Sequence, residues 1–149
     1  MKKNNRRQFL KNLAGSVAGM GTLASSAVPG LATAASSVVQ VKDIRLSKNS
    51  GYVRLVFDLD DIADHSVFTL NGPERVVLHI KNTKMPHGMV DRVQANSLIR
   101  SIRSGVRNDK DLRVVFDLSE SVTPRSFLLA PTADTGHRLV IDLHDKRDP

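Results

Sequence analysis

The sequence predicts an all-β fold: a two-fold pseudo-symmetric β-sandwich of two four-stranded sheets, preceded by a signal peptide. Three observations carry this prediction. Short β-branched runs alternate apolar and polar residues between turn signals. No 15-residue stretch beyond the N-terminal segment shows a convincing 3.6-residue period. Four of the runs recur, in the same order, about 60 residues later.

Residues 1–34 come first. They hold Lys2, Lys3, Arg6, Arg7 and Lys11 and no acid, and residues 12–41 carry no charge at all. "GLATAASS" closes the run with small residues, and Ala32-Thr33-Ala34 reads as a cleavage site between Ala34 and Ala35. Pro29 and Gly30 break any helix just upstream. "NRRQFLK" resembles the twin-arginine translocation motif, with Arg6 and Arg7 followed by Phe9 and Leu10; Asn5 stands where Ser or Thr is commoner. An uncleaved membrane span would need about 20 mainly apolar residues. The glycines, serines and Pro29 make this a poor one, so no stable membrane anchor is expected. Residues 35–38 are expected as a flexible start to the mature chain.

The segment also explains the charge. The 149 residues hold 22 bases and 15 acids, a formal net charge of +7. Without the five bases of residues 1–34, 17 bases face 15 acids, a net of +2. A +7 chain would hint at nucleic acid or a membrane surface, and a +2 domain hints at neither. There is no cysteine, which excludes disulfides, Cys-based zinc sites and thiol catalysis.

Eight strands are expected, near 39–47, 52–59, 65–70, 75–81, 99–106, 111–118, 124–129 and 137–144. "YVRLVFDL" (52–59) is matched by "DLRVVFDL" (111–118), and "VFTL" (67–70) by "SFLL" (126–129). "RVVLHI" (75–80) is matched by "RLVIDL" (138–143), and "DIRLS" (43–47) by "SIRSG" (101–105). The connection 82–98 is long enough for one short helical turn around 93–98. Pro124 should open its strand or lie on an edge, because it cannot donate a ladder hydrogen bond. Alternation sends Val53, Leu55, Phe57, Leu59, Val76, Leu78 and Ile80 inward. Leu112, Val114, Phe116, Leu118, Leu139, Ile141 and Leu143 follow in the second copy. Phe57, Phe68, Phe116 and Phe127 are expected to anchor the centre.

Catalytic signatures are missing. His65, His79, His87, His137 and His144 form no spaced metal pair, no serine lies in a nucleophile elbow, and no glycine loop cradles a phosphate. A binding module is the better reading than an enzyme. The outward rows are the one suggestive feature: Arg54 with Asp58, Arg75 with His79, Arg113 with Asp117, and Arg138 with Asp142. They form either cross-strand pairs worth a few tenths of a kcal/mol or bidentate donors for an anionic polymer. Val56, Val77, Val115 and Val140 between them would offer a sugar face a resting place. Aromatic stacking looks nearly unavailable, with no Trp and Tyr52 the only Tyr.

Taken together, "VRLVFDL", "LNGPERVVLHI", "RSIRSGVRNDKDLRVVFDL" and "HRLVIDL" resemble the AMIN domain of AmiC-type N-acetylmuramoyl-L-alanine amidases. The resemblance covers about residues 38–145. It implies a symmetric two-sheet sandwich that binds peptidoglycan in the periplasm and directs the amidase to the division septum. On that reading the outward rows become the candidate peptidoglycan-binding residues: Arg54, Asp58, Arg75, His79, Arg113, Asp117, Arg138 and Asp142. Divisome proteins are further implied partners, with the twin-arginine translocase during export. Such amidases use zinc in a second domain, and no position of this chain matches its ligands, so neither a catalytic residue nor a cofactor is assigned. Residues 146–149 read as the start of a linker, and the charged tail favours the front portion of an amidase over a stand-alone module. The alternative function is a protein-interaction module that recruits envelope or divisome partners without wall binding of its own.

Overall fold

Turn signals at 48–51, 71–74, 107–111 and 132–136 cut the chain into runs too short for helices, and each run pairs as a strand. The computed structural model describes residues 37–146. The signal segment, with Arg6, Arg7, Phe9, Leu10 and the Ala34–Ala35 bond, lies outside the described residues. The strands are β1 (Val39–Asn49), β2 (Tyr52–Leu59), β3 (His65–Leu70), β4 (Arg75–Ile80) and β5 (Thr83–Lys84). They continue with β6 (Ile99–Arg107), β7 (Asp111–Leu118), β8 (Val122–Leu129) and β9 (His137–Asp145).

Two sheets result, in the orders β5-β1-β2-β9-β8 and β3-β4-β7-β6. All pairings are antiparallel except β1 with β5. Each sheet therefore joins two strands from each half of the repeat. The two-fold relation exchanges the sheets: β1-β2-β9-β8 corresponds to β6-β7-β4-β3. The short β5 is the one strand the repeat does not predict. Val39 donates its N–H to the carbonyl of Asn82 at 2.9 Å, and buried Thr83 donates its hydroxyl to the carbonyl of Lys81 at 2.7 Å. The helical turn expected around 93–98 is a 3₁₀ turn at Val90–Arg92. Farther along, Asn96 Oδ1 accepts the N–H groups of Leu98 and Ile99, both at 2.8 Å, which holds the chain in a local turn leading into β6. Pro124 lies in the edge strand β8.

The core lies between the sheets. Leu55, Phe57, Leu78, Ile80, Val114, Phe116, Leu139, Ile141 and Leu143 are fully buried. Two of the four expected phenylalanine anchors are elsewhere. Phe68 and Phe127 are each 37% exposed. Phe68 pairs in register with Val77, and Phe127 with Val140, which puts both rings on the outward rows. Val67, one residue earlier, packs on the core instead. A period of two leaves no middle position, so a one-residue difference in phase sends the ring to the other face.

Paired irregularities shape β1 and β6. Register shifts between Val41 and Asp43 and between Ile99 and Ser101 mark bulges at Lys42 and Arg100, equivalent positions of the repeat. A bulge adds one residue and resets the alternation. Val39, Val41, Ile44 and Leu46 can then all face the core, and Arg45 and Arg103 face outward.

Candidate functional site

The outward rows of the four central strands carry all eight candidate residues, four on each face. Arg54, Asp58, Arg138 and Asp142 lie on the β1-β2-β9-β8 face. Arg75, His79, Arg113 and Asp117 lie on the other. The ladder aligns them across strands. On the first face one row runs Arg45, Val56, Val140, Phe127, and the next runs Asp58, Arg138, Leu129. On the second face the matching rows are Arg103, Val115, Val77, Phe68 and Asp117, Arg75, Leu70. The same residue types thus recur in the same places on both faces.

The carboxylates have arginine partners. Arg45 grips Asp58 through both oxygens at 2.9 and 2.7 Å. Its equivalent Arg103 grips Asp117 at 2.9 Å twice, and Ser101 donates to the same carboxylate at 2.6 Å. Those donors, the Arg103 hydrogen bond first, hold Asp117 below the usual carboxylate range against the opposing effect of burial. Arg54 Nε and Nη2 donate to Asp142 at 2.7 and 2.8 Å. This bond chiefly raises the Arg54 pKa above its ordinary value.

The cross-strand pairing therefore takes Arg54, Asp58, Asp117 and Asp142. Three cations remain. Arg138 and Arg113 make no ion pair or hydrogen bond among the described residues, and the Nε of each is buried without a partner. Arg75 has one long hydrogen bond, Nε to the carbonyl of Pro73 at 3.4 Å. His79 is held below its ordinary pKa by burial first, then by the charges of Arg113 and Arg107.

The apolar platform differs from the expected one. Val77 and Val140 are buried, so they offer no open surface to a sugar, and Val56 and Val115 are half-buried. Phe68 and Phe127 supply the exposed apolar surface at the edge of each face. Aromatic contact is thus available. The Arg54 guanidinium lies 5.4 Å from the Tyr52 ring centre and 5.7 Å from that of Phe127. Tyr52 stacks on His144 at 5.1 Å, and Phe68 meets His79 edge-on at 5.7 Å.

Arg45 and Arg103 are the residues sequence reasoning missed. A signal for them exists: they occupy the same position in the repeated "DIRLS" and "SIRSG". Plain alternation from Val41 would have pointed Arg45 inward, and only the bulge turns it out. Among the described residues no group of three or more His, Asp or Glu stands where it could hold a metal. No helix among them is long and apolar enough to cross a membrane.

The family model described as "AMIN domain" matches residues 43–143. An N-acetylmuramoyl-L-alanine amidase AmiC of Escherichia coli O6:H1 is 34% identical over 122 residues, covering 76% of this chain and 29% of the relative. An N-acetylmuramoyl-L-alanine amidase AmiC of Neisseria meningitidis serogroup B is 30% identical over 157 residues, covering 100% of this chain and 36% of the relative. The chain spans about a third of the length of the curated relatives it matches.

Proposed function

Because the chain belongs to the AMIN domain family, we propose that it is a periplasmic peptidoglycan-binding domain that directs a cell-wall amidase to the division septum. The observation that carries this reading is the duplicated outer face. On each side, a clamped Asp (Asp58 or Asp117) flanks an arginine without an acidic partner of its own (Arg138 or Arg75), and a half-exposed phenylalanine borders the same patch. Arginine forks suit the carboxylates of stem peptides, and the phenylalanine ring suits the apolar face of a sugar. The twin-arginine signal of residues 1–34 supports export to the periplasm. Hydrolysis of the bond between N-acetylmuramic acid and L-alanine, with zinc, is assigned to the other domain of the amidase.

Sedimentation with purified sacculi tests the proposal. The chain should pellet with sacculi, and Arg75→Ala combined with Arg138→Ala should weaken binding at least tenfold. Arg125→Ala, an arginine of edge strand β8, should change it little. A chain that stays in the supernatant at physiological salt refutes wall binding, and equal losses from both variants refute the assigned arginines.

A second reading has its own support. Edge strands β3 and β8 leave Phe68, Leu70, Phe127, Leu128 and Leu129 each 37% exposed. They could take an added strand from an envelope or divisome protein. Cross-linking in cells with and without an intact wall separates the readings: partners captured equally in both favour protein interaction.

A further inference from the structure

The two outer faces match in the strand positions described above and differ beyond them. Next to the matched rows, Arg54 faces Asp142 on the first face. On the second, the equivalent Arg113 faces His79. Asp142 is buried, and its two oxygens accept both Arg54 donors at 2.7 and 2.8 Å. Nothing comparable reaches Arg113. Its guanidinium makes no ion pair or hydrogen bond among the described residues, and Arg113 Nε and His79 Nε2 are both buried without a hydrogen-bond partner. Native structures rarely leave such donors unmatched.

The geometry points to a carboxylate-binding subsite at Arg113 and His79, on the β3-β4-β7-β6 face alone, whose counterpart on the other face Asp142 fills from within. The Arg54–Asp142 pair shows how a carboxylate lies on this guanidinium: side-on, one oxygen on Nε and the other on Nη2. At Arg113 that carboxylate has to come from a ligand. The other charged groups nearby leave the place open. Asp111 pairs in register with Arg107 and accepts the Asn82 N–H at 2.9 Å. Asp117, on the far side of the Val115 row, is held by Arg103. A neutral His79 keeps one N–H to donate. Next to it, an open cleft lined by Asp64, His65, Ser66, His79, Lys81 and Asp111 has room for the body of a short peptide. Resting on the wall-binding reading, the ligand is a free carboxylate of a peptidoglycan stem peptide.

The test is an NMR titration of the whole chain with N-acetyl-D-alanine, read at the Arg113 Nε–H and the His79 ring, beside its uncharged carboxamide analogue. The acid should shift both signals, and the amide neither. His79→Asp, which supplies an internal carboxylate, should lower affinity for the acid at least tenfold. Arg113→Lys, which keeps the charge but loses the fork, should also lower it. Asp142→His should make the Arg54 Nε–H respond. Equal shifts from acid and amide, or unchanged affinity in both His79→Asp and Arg113→Lys, overturn the subsite. Sacculus sedimentation separates the two readings. Binding to sacculi without acid–amide discrimination refutes the subsite alone, and discrimination without sedimentation refutes wall binding alone.

Discussion

Arg54 and Asp142 are the most enclosed of the arginine–aspartate pairs, with side chains 36% and 8% exposed. Arg45–Asp58 and Arg103–Asp117 are far more open. Burial decides what each pair contributes. Removing Arg54 leaves a buried carboxylate without its donors, so Arg54→Ala should cost about 2 kcal/mol in urea unfolding. Arg45→Ala and Arg103→Ala should each cost under about 1 kcal/mol. The titrating residues add a pH dependence with a definite sign. Burial lowers the pKa of His65 and His79 from 6.5, so their contribution is complete above pH 6.5 and declines as acid protonates them. Asp117 is lowered from 3.8, so its contribution is complete above pH 3.8 and is lost as pH falls through the lower folded value. Stability should therefore fall in two stages on acidification. His65→Gln with His79→Gln should flatten the first stage, and Asp117→Asn the second. A urea midpoint that rises from pH 7 to 5 contradicts the assignment.

At the scale of elements, phase controls which side chains do structural work. Phe57 in β2 and Phe116 in β7 are fully buried at equivalent positions, whereas Phe68 in β3 and Phe127 in β8 face outward at their edges. Phe57→Ala or Phe116→Ala should cost roughly 3–5 kcal/mol. Phe68→Ala or Phe127→Ala should cost less than half of that and should show in sacculus binding instead; thermal unfolding and sedimentation measure the two effects. The inner rows of β2, β4, β7 and β9 were legible because long regular strands alternate without interruption. The short edge strands were not, since "VFTL" and "SFLL" have apolar residues at adjacent positions and so fit either phase. The bulges at Lys42 and Arg100 were hidden for a related reason: one inserted residue leaves no mark in a composition pattern, yet it turns Arg45 and Arg103 onto the faces.

The whole molecule is held together by exchange between its halves. β2 pairs with β9 and β4 with β7, so neither half forms a sheet of its own. A fragment ending at residue 96 should be unfolded by circular dichroism, and mixing it with residues 97–149 should restore strand signal. A folded isolated half would contradict the exchange. The repeat and its alternation determined that the chain is a symmetric all-β sandwich, because apolar period and turn chemistry are local and written in consecutive residues. They also brought all eight candidate residues onto the outer rows. Which of them keep an unpaired charge was decided only by tertiary structure. Arg54 finds Asp142 across 88 positions of chain, whereas Arg113 finds His79, a difference set by strand order and register. Charge pairing depends on distance in space: Arg45 and Arg103 find their carboxylates on the neighbouring strand of their own half, whereas the partner of Arg54 comes from the other half of the chain.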